Sequence, residues 1–303
     1  MFFSIASTGL VALARPCPTL IPVLCRAAVA LLWLVLAGSV AEAAESNVWS
    51  RVTTPTPGPP LSIGSAARGC LAGAAALPID GPGYEVIRLS RDRYYGHPGT
   101  VAFVERLGTR AASAGLPLFN VGDMAQPRGG PLPFGHASHQ TGIDVDIWFT
   151  FAKGSPLAPA AREQVDLPSM LLPSWRAIDP QRFGQRQITL LRLAATDPRV
   201  DRIFVNPVIK ATLCRILPDR DHAWLGRLRP WWEHDDHFHV RLSCPAGSPD
   251  CVSQAPAPPG DGCDATLASW VRDQHPPRVD QKPPPPRPLP ALPAACRAIL
   301  AQP

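Results

Sequence analysis

The chain has 303 residues, 46% of them hydrophobic, enough for one large domain or two small ones. Its formal net charge of +5 is modest; it suits an anionic polymer and gives no ground for a nucleic-acid partner. The 38 prolines exceed ordinary usage, and part of that excess lies in a C-terminal tail.

At the N-terminus Arg26 precedes the apolar run Ala27–Ala37, followed by Gly38, Ser39 and the small-x-small stretch Ala41, Glu42, Ala43. This layout predicts a secretory signal peptide over residues 1–43 and one domain over residues 44–303. An apolar run of eleven residues is shorter than the roughly 20 of a membrane-spanning helix, so no stable span is expected after cleavage. Removal takes Arg15, Arg26 and Glu42 and leaves a charge of about +4. Cys17 and Cys25 leave with that segment. Cys70, Cys214, Cys244, Cys251, Cys263 and Cys296 remain, and an even count in an exported chain implies three disulfides, with 15 pairings open. Cys244 and Cys251 are near enough to close a small loop. No Cys-x2-Cys pair exists, which argues against cysteine-bound metal.

Residues 44–83 are rich in Pro, Gly, Ser and Ala and read as an irregular arm pinned by Cys70. Val101, Val104, Leu107 and Ala111 at helical spacing predict a helix over Thr100–Ala114 with Gly115 as its stop. Leu116–Val121 is a short strand candidate, and the proline- and glycine-laden Gln126–Gly135 must be a loop. Ile143–Phe149 alternates, with Val145 and Ile147 on one side and Asp144, Asp146 and Trp148 on the other, a strand with a polar face. After an insertion over 152–180 come a helix over Arg186–Ala195, a strand over Val200–Val205, and a helix to Leu217 opened by Asn206 and Pro207. Phe238–Leu242 is a second polar-faced strand. Beyond Cys251 the chain reads as irregular, with an extended proline-rich tail over about 274–293 that Cys296 laces back to the body.

Five of the eight histidines fall in two clusters: His136 and His139 ahead of Asp144 and Asp146, and His234, His237 and His239. A catalytic zinc takes three nitrogen or oxygen ligands and keeps one position for water, and His139, Asp146 and His239 can supply that set. Residues two apart on a strand face one way, so His237 and His239 look into one site. Taken singly, a His-x-His strand or an Asp-x-Asp strand is more often a solvated face; two such clusters beside polar-faced strands point to a metal centre. Neither His-Glu-x-x-His nor Gly-x-Ser-x-Gly occurs, which excludes a glutamate base on a zinc-binding helix and a serine elbow. Asp144 could orient a ligand histidine or be a plain strand-face carboxylate. Arg128 could grip a substrate carboxylate, though a solvated loop arginine is the simpler reading.

The run Gly135–Trp148 (Gly-His-Ala-Ser-His-Gln-Thr-Gly-Ile-Asp-Val-Asp-Ile-Trp) resembles the signature of penicillin-insensitive murein endopeptidases. Trp231–Pro245 (Trp-Trp-Glu-His-Asp-Asp-His-Phe-His-Val-Arg-Leu-Ser-Cys-Pro) resembles their second motif. Both fit the wider lysostaphin and D-Ala-D-Ala metallopeptidase pattern, and the likeness extends to Ile203–Lys210, Gly260–Cys263 and the six cysteines. It implies an α+β fold in which a small antiparallel sheet carries the metal site, flanked by helices and long disulfide-tied loops. It further implies zinc on His139, Asp146 and His239, with His237 as general base or transition-state stabiliser. His136 and His234 match further active-site histidines, His136 on the metal side and His234 on the catalytic side. The implied disulfides are Cys70–Cys296, Cys214–Cys263 and Cys244–Cys251. The implied activity is periplasmic cleavage of peptidoglycan cross-links joining D-alanine to a diamino acid. Such a route uses water and no acyl-serine, which accounts for indifference to β-lactams. One departure stands out: no histidine occurs from 147 to 221, against a second metal of the kind some relatives hold in that insertion. The rivals are a D-Ala-D-Ala carboxypeptidase or dipeptidase and a noncatalytic peptidoglycan-binding protein.

Overall fold

The computed structural model describes residues 47–275 and 291–302. The expected signal segment, and residues 276–290 of the expected tail, lie outside the described residues.

The segment read as an irregular arm is in fact largely built. It forms a hairpin of β1 (Leu61–Ser65) and β2 (Arg68–Ala72), followed by short β3 (Ala75–Ala76) and β4 (Asp80–Gly81). Its glycines and prolines disguise the strands, because pairing partners and the Cys70 bridge define the hairpin more than side-chain pattern does. Then come β5 (Tyr84–Val86), β6 (Tyr95–Gly96) and α1 (Pro98–Ser113). α1 begins two residues ahead of expectation, since Pro98 takes the first helical position and the His97 ring accepts from the Gly99 amide at 3.1 Å. It buries Val101, Val104, Leu107 and Ala111, the stripe that the sequence marks out.

β7 (Phe119–Val121) and β8 (Asp144–Phe151) flank the proline-glycine loop, and the insertion after β8 holds a 3-10 turn at Pro159–Gln164. α2 (Gln185–Ala195), β9 (Val200–Val205), α3 (Pro207–Ile216), β10 (Leu228–Pro230) and β11 (His237–Leu242) follow. Asn206 caps α3 as its sequence signature requires, its side chain accepting from the Val208 amide at 2.9 Å. Beyond Cys251 the chain is less irregular than composition suggests: α4 (Ala265–Arg272) starts on an Asp264 cap, and α5 (Ala294–Ala301) follows the tail.

Seven strands form one sheet in the order β10-β9-β11-β8-β7-β5-β4. Its middle four strands are mutually antiparallel, and parallel pairs join on either side, β9 with β10 and β7 with β5. The fold is therefore α+β. One sheet face packs against α1, α2 and α3 through Val145, Ile147, Phe149, Phe238 and Val240. Burying each such side chain contributes about 1.5–3 kcal/mol. A second, smaller cluster joins Trp49, Ile63, Ala72 and Ile299 around the Cys70–Cys296 bridge. Cys214–Cys263 and Cys244–Cys251 complete the three disulfides. They are the pairs that the family resemblance implies. Among the described residues no helix is long and apolar enough to cross a membrane.

Candidate metal centre

The site grows from one register. His239 on β11 lies directly opposite Asp146 on β8, with His237 opposite Trp148 and Arg241 opposite Asp144. Directly opposed residues share a face, so two stretches distant in sequence deliver these side chains to one surface. The loop before β8 adds His136 and His139. Its return is tight: Gly142 has φ +72°, and a Cβ there would meet the His97 amide nitrogen at 2.8 Å.

One ligand atom from each of His136, His139, Asp146 and His239 can be chosen so that all four lie within 4.8 Å of one another. His239 Nδ1 is 3.2 Å, His139 Nε2 3.5 Å and His237 Nε2 3.9 Å from Asp146 Oδ1, while His136 Nε2 is 3.2 Å from Oδ2. Both ring nitrogens of His139, Asp146 Oδ1 and His237 Nε2 are buried without a hydrogen-bond partner. A buried polar atom left so costs about 1–3 kcal/mol. A divalent cation in the donor set of His136, His139, Asp146 and His239 would satisfy one His139 nitrogen and Asp146 Oδ1, which no protein group does, so the residues fit a metal. His139 sits at φ +66°, a left-handed backbone that costs a non-glycine residue roughly 1–2 kcal/mol. Its amide is held there by Asp144 Oδ2 at 3.1 Å.

Asp144 is completely buried. Besides the His139 amide it faces His239 Nε2 at 3.0 Å and accepts from Arg241 Nε at 2.7 Å. With Nε2 of His239 against Asp144, its Nδ1 lies on the Asp146 side of the ring, 3.2 Å from Oδ1. Burial pushes Asp144 up, but Arg241 and His239 outweigh it and hold its pKa below the usual carboxylate range. Burial likewise raises Asp146, and His139, His136 and His237 more than offset it, leaving it well below that range. Burial lowers His237 while Asp146 and Asp236 raise it further, for a net rise. His234, on a left-handed turn tied to Asn206, is pushed down to about 3 by burial and by His237 and His239. It is therefore neutral at ordinary pH.

Three neighbours escaped the sequence reading. Asp236 lies 2.6 Å from His237 Nδ1 and was visible in the second motif, where its role had no signal. Asp123, just past β7, lies 3.6 Å from His136 Nε2 and accepts from Arg93 at 2.6 Å, and no local pattern marks it. Arg241 was hidden in the polar face of β11. Arg128 is not the solvated loop arginine of the simpler reading. It is buried and donates to Thr54, Ile299, Leu300 and Gln302 carbonyls, closing the C-terminal end of α5. A second cluster, His222, Asp261 and Cys263, has the spacing of a metal site, but the Cys263 sulfur is committed to Cys214.

A family model described as penicillin-insensitive murein endopeptidase matches residues 62–301. The chain is 45% identical to a penicillin-insensitive murein endopeptidase of Haemophilus influenzae over 84% of its own length and 88% of the relative's. Proteins of the same name from Klebsiella pneumoniae and Salmonella paratyphi B are each 42% identical, covering 88% and 91% of this chain and 94% and 97% of theirs.

Proposed function

The chain belongs to the penicillin-insensitive murein endopeptidase family, and on that premise we propose that it is a zinc peptidase cutting D-alanyl–diamino acid cross-links in peptidoglycan. Murein endopeptidase action, with three disulfides, places its work outside the cytoplasm; the finer reading is a periplasmic enzyme exported by residues 1–43. The observation that carries the metal reading is the facing of His239 and Asp146 across two strands, with His139 and His136 closing the donor set within 4.8 Å. His139, Asp146 and His239 are the ligands, with His136 beside them.

When bound, zinc supplies Lewis-acid chemistry, lowering the pKa of water toward about 7 and polarising the scissile carbonyl. His237 takes a proton from the attacking water at Nε2 and returns it to the leaving amine. Asp236 at Nδ1 fixes the ring so that Nε2 faces Asp146. His234, neutral and 4.9 Å from His237 ring to ring, lines the site without adding charge that would oppose His237 protonation. Asp144 holds His239 and the His139 backbone in place throughout.

The test is mass analysis of products from isolated sacculi, with and without a chelator. Cross-linked dimers should fall to monomers with a free side-chain amine, penicillin should not slow the reaction, and chelation should stop it. Dimers left intact by zinc-loaded protein favour a binding protein, and release of terminal D-alanine from free pentapeptide alone favours a carboxypeptidase.

A further inference from the structure

Beside the metal centre, one short stretch of chain presents three arginines. Arg93 is almost wholly buried and donates to Asp123 Oδ2 at 2.6 Å, yet its Nη2 is buried without a partner. Arg91 Nη1 reaches both oxygens of the same carboxylate, at 3.2 and 3.1 Å. Asp123 thus serves two guanidinium groups and, at 3.6 Å, His136. Arg88 has no carboxylate of its own. Among the described residues its guanidinium makes no hydrogen bond or ion pair; it lies 4.7 Å above the Trp148 ring, which is 4.9 Å from the His237 ring.

This placement is built rather than incidental. Arg88 is held at φ +57°, a left-handed backbone unusual for a side-chain-bearing residue, with its amide donating to the Arg162 carbonyl at 2.9 Å. A Cβ at Gly122 would fall 2.3 Å from Trp148 Nε1, so glycine there lets the indole lie under the guanidinium. Burial, and after it Arg91, lower the Arg88 pKa, while Asp123, Asp236 and Asp146 act to raise it. With no carboxylate in hydrogen-bond reach among the described residues, the guanidinium donors remain open to an anion.

We propose that Arg88, with Arg91 beside it, binds the substrate carboxylate on the carbon that bears the scissile nitrogen. This rests on the peptidase reading above. A diamino dicarboxylic acid carries such a carboxylate; a diamino monocarboxylic acid carries hydrogen there. Arg88 therefore sets a preference for cross-links through the dicarboxylic residue, one aromatic ring away from the proton-handling His237, with the planar guanidinium presenting paired donors to the carboxylate.

The experiment uses two purified muropeptide dimers that differ at that one group, free carboxylate in one and carboxamide in the other. For the unaltered zinc-loaded protein, kcat/KM should favour the carboxylate dimer by roughly 10- to 100-fold, the discrimination a charged hydrogen bond supports. In Arg88→Gln the ratio should fall toward one, with the loss entering through KM on the carboxylate dimer, and Arg88→Lys should restore part of it. An unchanged ratio in Arg88→Gln, or a loss equal on both dimers, overturns the assignment. Equal cleavage of both dimers by the unaltered protein overturns it while leaving the peptidase reading intact; cleavage of neither overturns both.

Discussion

Along β8 and β11, alternate residues face two different interiors. Val145 and Ile147 are 0% exposed among hydrocarbon; Asp144 and Asp146, one residue away on the same strand, are 0% and 1% exposed among charges. Burial alone does not distinguish the faces. The apolar side is stabilised by being out of water, whereas the polar side is tolerable because each group has a partner or awaits a cation. A slip of one residue in the β8–β11 register would exchange the two sets, so the packing of one face fixes the geometry of the other.

Breaking the polar face should remove function with little loss of fold. Asp146→Ala or His239→Ala should abolish zinc retention and lower hydrolysis by about a thousandfold or more, measured by metal analysis and dimer turnover, with near-ultraviolet circular dichroism preserved. Breaking the apolar face should do the reverse. Ile147→Ala should cost about 2–5 kcal/mol in denaturant unfolding while zinc stoichiometry at low temperature stays intact. If both substitutions gave the same phenotype, the division between the faces would be void.

Asp144→Asn sharpens the comparison, since it keeps the volume and removes the charge that holds His239, the His139 amide and Arg241. Zinc affinity should weaken by about 10- to 100-fold in a competition titration, without the full loss expected at Asp146. The smallest effect belongs to a pair far from this surface. His222 Nδ1 lies 2.7 Å from Asp261, and that hydrogen bond raises the His222 pKa above its ordinary 6.5. A raised histidine contributes stability that is full below about pH 6.5 and is lost as pH rises through the folded value. The contribution of a partly exposed pair is about 0.5 kcal/mol, and His222→Gln should flatten that part of the stability–pH curve while leaving turnover unchanged.

How much of this was legible in the sequence follows from range. The β8 alternation, the Asn206-Pro207 cap and the α1 stripe are local patterns, and each locates its element to within a few residues. The two histidine clusters are local too, and their shared resemblance to one family's motifs links them across the intervening chain. Arg128 could not be read, because its partners at Ile299, Leu300 and Gln302 are more than 170 residues away and turn an apparent loop arginine into a helix clasp. Asp123 and Arg88 stand in unremarkable surroundings and acquire meaning through His136 and Trp148 across the fold. The β1–β2 hairpin was missed because glycines and prolines outweighed the strand pattern, while its backbone is secured from outside, as where the Ser62 amide donates to Ser248 Oγ at 3.0 Å.

Anomalous scattering at the zinc absorption edge from crystals of the zinc-loaded protein tests the central claim most directly. The account predicts a strong peak about 2.0–2.2 Å from one donor atom each of His139, Asp146 and His239. A zinc peak elsewhere in the molecule, with those three side chains bound to nothing, would contradict it.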